Sequence, residues 1–156
     1  RLGIAEENSG RLVTLVRDRA AELAEEARVG RILGDGPPGT GCPVIASVSG
    51  TDLVIIVTEP TVSGVHDMER VLDLAAHFNV PALVVVNKAD INRDQEQRIA
   101  RIARQRSSRV IGSIPFDRAV NDALMAGRNV IVHGQSDAAD AIRAAWDEVR
   151  SVLAED

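Results

Sequence analysis

Tyrosine is absent from this chain, and the other aromatics amount to one Trp and two Phe. Proteins that hold single-stranded nucleic acid stack bases on rings along a basic groove. This chain has few rings and a net charge of −5, so no nucleic acid partner is expected. Its single cysteine excludes an intrachain disulfide framework and points to a reducing, cytoplasmic setting. No apolar run is long enough to cross a bilayer, no signal peptide opens the sequence, and no membrane association is expected. A last absence is chemical. Neither GxxxxGK followed by Ser or Thr, nor a GKGGxGK variant, occurs anywhere. No lysine is therefore set against a nucleotide's phosphates, and no Ser or Thr hydroxyl is set for Mg²⁺. Phosphoryl transfer depends on those positioned charges, so the chain by itself is not expected to hydrolyse a nucleotide efficiently.

What is present suits one domain: 156 residues, 45% of them apolar. Continuous β-branched runs at residues 52–57 (DLVIIV) and 82–86 read as strands buried on both faces, hence a parallel sheet. Shorter strands are expected at 31–34 and 109–114. Between them lie helical patterns. Leu12, Leu15, Val16, Arg19, Leu23 and Ala27 recur at helical spacing over 11–28, after an irregular 1–10; Asn8 or Ser9 would cap that helix and Gly30 stop it. Further helices are expected over 44–49, ended by Gly50, and over 64–78, ended by Asn79. The second of these would bury Val65, Met68, Val71, Leu72, Ala75 and Ala76. Three more fall at 94–106 on Ile99, Ile102 and Ala103, at 119–126, and at 137–153 on Ile142, Ala145, Trp146, Val149 and Leu153. Residues 127–134 read as a loop with room for a brief extended piece. Alternation of this kind is the mark of βαβ units wound into a parallel α/β sheet flanked by helices.

Ligands of such sheets bind outside the carboxyl ends of the strands. Three polar clusters fall there. In DGPPGTG, Asp35 ends an apolar run and the glycines that follow, Gly39 among them, let backbone N–H groups approach an anion. An aspartate so placed holds a magnesium-bound water beside phosphates; the same residues also suit a plain turn whose Asp caps a helix. Asn87-Lys88-Ala89-Asp90 follows VVV. An Asn amide both donates and accepts, so it can read a purine edge; a lysine stem can cover a ring face; and Asp90 can accept two N–H donors, which guanine offers. A turn chosen for Asn and Asp propensity is the plainer reading. The third cluster is Pro115-Phe116-Asp117.

DGPPGTG, the long stretch TEPTVSGVHDMERVLDLAAHFNVPALVVVNKADIN and IGSIPFD together resemble the MinD/ParA-type P-loop ATPases. The likeness is greatest to the MinD-like branch with an inserted ferredoxin-like module, often labelled cobyrinic acid a,c-diamide synthase; EENSGRLVTLVR looks like that branch too. The resemblance implies a partial P-loop NTPase-like fold lacking the phosphate-loop strand. It implies Asp35 as the Walker B-type aspartate and Mg²⁺ holder, and Gly39 in the region that senses the terminal phosphate. Asn87 and the Pro115-Phe116-Asp117 loop would surround the base. Members sandwich ATP between two copies in a dimer. In the family the phosphate loop and the ferredoxin cysteines lie N-terminal to everything present here, and the first residue is Arg1 rather than Met, so we expect the C-terminal part of a longer ATPase. The family's phosphate-loop strand lies beside the Asp35 strand, so its loss would leave open edges and favour self-association.

Cys42 follows Asp35 by seven residues. The nitrogenase iron protein, a cousin in the superfamily, is similar in this spacing, which implies a share in a 4Fe-4S site across a dimer axis. A small buried residue near a helix start is the alternative. His66, His77 and His133 share no metal-ligand spacing. Asp67 and Glu69 suit a solvated first helical turn, Glu59 ends a buried strand on the ligand edge, and the arginines between 93 and 109 suit a solvated face. The expected function is thus ATP binding coupled to iron–sulfur or electron-transfer chemistry in a larger protein. A GTP-binding protein using NKAD, and a protein-interaction module without turnover, are the alternatives.

Overall fold

The computed structural model describes residues 5–154. Its elements run α1 (Ala5–Ala27), α2 (Cys42–Val48), β1 (Val54–Thr58), α3 (Val62–His77), β2 (Ala82–Asn87), α4 (Arg93–Gln105), β3 (Arg109–Ile114), α5 (Arg118–Met125), α6 (Val130–His133) and α7 (Asp137–Val152). The three strands form one parallel sheet in the order β1-β2-β3, flanked by helices, as the alternating pattern predicts.

The apolar run of β2 explains the layering. Successive side chains of a strand point to opposite faces. Val84 and Val86 enter a core with Ile56, Val65, Met68, Leu72, Ile99 and Ala103, contributed by β1, α3 and α4. Leu83 and Val85 point the other way, into a core with Ile111, Ala145 and Val149, which is closed by α7. Each fully buried aliphatic side chain contributes about 1.5–3 kcal/mol. The ion pairs here are surface pairs, worth about 0–1 kcal/mol each, so burial decides the architecture. No helix among the described residues is long and apolar enough to cross a membrane.

β3 carries an irregularity that its sequence does not announce. Val84 pairs with Val110, but Val85 pairs with Gly112, so Ile111 is an extra residue. Such a bulge turns two consecutive residues to one face. Ile111 and Gly112 both face α7, whereas Ser113 turns back to bond Glu96 on α4. A Cβ added at Gly112 would lie 2.7 Å from the Ala145 Cβ, so only glycine admits α7 this close.

Four expectations need correction. The first helix starts by Ala5, so Asn8 and Ser9 lie within it rather than ahead of it; residues 1–4 lie outside the described residues. Gly10 lies within the helix without breaking it and faces the start of α2, where an added Cβ would make ordinary contact with Cys42 at 3.4 Å. The helix stops at Arg28, which takes a left-handed φ of 54° while Val29 N–H donates to the Ala24 carbonyl, ahead of Gly30. Its apolar face is not covered: Leu12, Leu15, Val16 and Leu23 are 47–61% exposed. The link to α2 is instead Arg17, whose guanidinium donates to the Ala46 and Ser49 carbonyls at 2.6 and 2.5 Å and to that of Gly50 at 3.1 Å. It thereby caps the negative end of α2.

Second, no strand forms at residues 31–34. A strand exists only by pairing, and β1 pairs with β2 alone; Ile32 and Leu33 stay exposed. Third, residues 130–133 are a short helix rather than an extended piece, because the Asn129 side chain accepts the Val132 N–H at 3.0 Å and caps it. Fourth, Ala76 and Trp146 face outward. Each sits one position past a buried alanine, Ala75 or Ala145, and so about 100° round its helix.

Replacing Gly112 by Ala should force α7 off the bulge and destabilise the fold by about 1–3 kcal/mol. The midpoint of urea unfolding should fall accordingly; an unchanged midpoint would show that β3 and α7 yield without strain.

Candidate functional site

Parallel strands bring their carboxyl ends to one edge. The register sets Thr58 beside Val86 and Asn87 beside Ile114, so the loops after β1, β2 and β3 leave the sheet together. The junction after β1 is tight. Buried Thr58 donates its hydroxyl to the Gly64 carbonyl at 2.9 Å, and the Thr61 hydroxyl accepts the Gly64 N–H at 2.9 Å, capping α3. A Cβ at Gly64 would collide with the Glu59 carbonyl oxygen. This is the local reason for the Thr, Thr and Gly of TEPTVSG.

The loop after β2 is strained at its first residue. Four described non-glycine residues have positive φ: Arg28, Asn79, Lys88 and Ser107. Three of them close helices, where this conformation is routine. Lys88, at φ 52°, instead follows a strand. The Asn87 side-chain oxygen accepts the Lys88 N–H at 3.1 Å, and Lys88 Nζ pairs with Glu59 Oε1 at 2.7 Å, tying the first loop to the second. Asp90 lies in a 3₁₀ turn, Ala89–Ile91, and its Oδ1 accepts the Phe116 N–H at 2.7 Å, tying the second loop to the third.

In the third loop Asp117 accepts the Ala119 N–H at 2.8 Å, as the cap of α5, and the Ala138 N–H at 3.2 Å, at the start of α7. Those two amides, the nearer first, and the Ser136 hydroxyl favour the carboxylate and hold its pKa below the ordinary aspartate value. Phe116 is 53% exposed. Between the second and third loops a shallow groove of about 400 Å³ is lined by Asp90, Arg93, Glu96, Gln97, Ser113 and Pro115, with Ala89 at its base.

The sequence-predicted residues thus fall into two groups. Asn87, Lys88, Asp90, Pro115, Phe116 and Asp117 share the carboxyl edge. Asp35, Gly39 and Cys42 do not line the groove. They precede or begin α2, whose Val44 and Val48 pack with Val54 and Ala82 at the amino ends of β1 and β2. Asp35 is exposed and makes no hydrogen bond or ion pair among the described residues, and Gly39 takes φ 89°. Cys42 is exposed, so it is not the small buried residue of the plainer reading.

One thiol per chain does not supply the four that a 4Fe-4S cluster takes, and no group of three or more His, Cys, Asp or Glu fit for a metal occurs among the described residues. The cluster does not fit the residues present. Ser113 and Glu96, which the sequence does not single out, meet only through the fold, and Arg93, read from sequence as part of a solvated face, lines the same groove.

A sheet that aligns its polar loops in this way, with helices on both faces, has the fold of the MinD-like P-loop NTPases. The MinD cell division protein of Aquifex aeolicus superposes with a TM-score of 0.68 at 24% identity, over 85% of this chain and 59% of that one. The septum site-determining protein MinD of Pyrococcus horikoshii, complexed with Mg-ADP, superposes with a TM-score of 0.67 at 18% identity, over 82% and 54%. In sequence, the uncharacterized protein MJ0578 of Methanocaldococcus jannaschii is 30% identical over 152 residues, 97% of this chain. The chain spans about half the length of that relative. No family model matches.

The Asp117 bonds generate a test. Its folded pKa is lowered, so the stabilisation is complete above the ordinary aspartate value, about 3.9, and is lost as pH falls through the lower folded value. Melting temperature should drop on acidification through that window, and Asp117→Asn, which keeps one acceptor but no charge, should lose that part of the slope. Parallel curves for the two proteins would remove the assignment.

Proposed function

We propose that this chain is the base-side part of a MinD-type nucleotide-binding domain, and that the longer protein to which it belongs is an ATPase. What supports the reading is the convergence of the Glu59, Asn87–Asp90 and Pro115–Asp117 loops on one edge of a MinD-like fold. Chemically, the Asn87 amide offers a donor pair to a purine edge, with its oxygen already accepting the Lys88 N–H. The exposed Phe116 ring offers an apolar face. The Lys88 stem lies within reach of the same edge but spends its charge on Glu59.

Asp35, exposed and with no hydrogen bond or ion pair among the described residues, has the chemistry to hold a magnesium-bound water, and Gly39 an N–H for a terminal phosphate; bound Mg²⁺ would neutralise phosphate charge. This chain holds no lysine in a phosphate loop, so binding rather than turnover is its own part. Coupling to iron–sulfur chemistry would have to draw its thiolates from elsewhere, because Cys42 supplies one. Asp90, on which the GTP alternative rests, also accepts the Phe116 N–H.

Calorimetric titration with Mg-ADP and Mg-GDP tests the reading. Saturable binding of Mg-ADP is expected, weakened about tenfold in Asn87→Ala by the loss of a hydrogen-bonding amide. No heat of binding from either nucleotide would overturn it for this chain. A homodimer is the second part of the proposal, supported by the open edge of β1 and the bare face of α1. Light scattering should give twice the 16.7 kDa chain mass at high concentration; a monomer at every concentration would remove that part.

A further inference from the structure

The carboxylates at the carboxyl edge are already engaged. Glu59 pairs with Lys88, Asp117 accepts the Ala119 and Ala138 amides, and Asp90 accepts the Phe116 amide. The last bond is the shortest contact between the second and third loops and spans 26 residues of sequence. Its chemistry explains it. β3 ends at Ile114, Pro115 has no N–H, and Phe116 therefore carries the first donor past the strand. Asp90 is exposed in a 3₁₀ turn next to buried Ala89, and its bond to the Phe116 N–H orients the carboxylate. An aspartate that reads guanine needs both oxygens side by side for two N–H donors. In Asp90 the bond to the Phe116 N–H ties Oδ1, and with it the orientation of the carboxylate, to the third loop.

We propose that Asp90 is a positioning residue: it latches the β2–α4 loop to the β3–α5 loop, fixing the backbone that carries the exposed Phe116 ring beside Asn87, and it does not read the base. For its bearing on ligand choice this rests on the nucleotide reading given above. The consequence is a site whose base contacts come from Asn87 and the Phe116 segment, without the guanine preference that NKAD suggests by sequence.

The test has two arms on the 156-residue chain. The first needs no ligand: amide hydrogen exchange followed by NMR. Asp90→Ala should speed exchange at Phe116 about tenfold, as expected for loss of a hydrogen bond to a charged group, while amides of Val84 and Ile99 in the core stay unchanged. Asp90→Asn keeps an acceptor oxygen and should restore most of the protection. Unchanged Phe116 exchange in Asp90→Ala overturns the latch. If that variant does not fold, the Phe116 amide proton resonance of Asp90→Asn decides, since a neutral acceptor moves it upfield and a proton bonded elsewhere stays put.

The second arm titrates Mg-ADP and Mg-GDP. Asp90→Ala should weaken both by the same factor, and Asp90→Asn should keep the wild-type ratio of the two. A GDP preference in the wild type that disappears in Asp90→Asn overturns the proposal in favour of base reading. Absence of binding by the wild type would refute the nucleotide reading alone, and the exchange arm would still decide the latch.

Discussion

Burial of β2 on both faces is the constraint on which the rest depends. Leu83 to Val86 alternate between a core closed by α3 and α4 and a second closed by α7, and all four are nearly inaccessible. A strand buried in this way at the middle of a parallel sheet aligns its neighbours in direction. The three connecting loops then have no choice but to leave at one edge. The edge is thus a by-product of the hydrophobic core, and its polar residues are set by strand register to within one residue. The bulge at Ile111 belongs to the same constraint. It lets β3 offer both Ile111 and Gly112 to α7 while Ser113 returns to α4.

At that edge the polar groups fasten the loops to one another. The Glu59–Lys88 pair, the Asp90–Phe116 bond and the two amides on Asp117 run in a chain from the end of β1 to the start of α7. The Glu59–Lys88 pair is exposed and by itself weak. The value of these contacts lies in order: three loops that would otherwise move separately share one set of restraints. The left-handed Lys88, which costs backbone energy without closing a helix, is held by this set.

The amino-terminal part is organised differently. α1 packs on α2 through Arg17 and through Gly10, yet leaves Leu12, Leu15, Val16 and Leu23 uncovered. Residues 31–34, with Ile32 and Leu33 exposed, are unpaired, and among the described residues no strand lies on the far side of β1. Apolar surface and open backbone on one part of a molecule are the physical marks of a contact surface. The chain covers about half of the relative it matches over nearly its whole length.

Much was legible in the sequence. The runs of β1 and β2 and the bounds of β3 follow from β-branched content and turn residues. The helical faces of α3 and α4 follow from period, since Val65, Met68, Leu72, Ile99, Ile102 and Ala103 are all buried. The polar clusters at Asn87–Asp90 and Pro115–Asp117 were visible because strand ends are local features. Four things were not legible. Whether residues 31–34 become a strand depends on a pairing partner, and whether Leu15 is buried depends on what covers it. Whether β3 is bulged depends on the space that α7 leaves. What Asp90 bonds depends on an amide 26 residues away. Local propensity and hydrophobic period therefore determined the elements and their order. Only tertiary structure decided which apolar faces found cover and which carboxylates found donors, because both are relations between segments that the chain brings together only on folding.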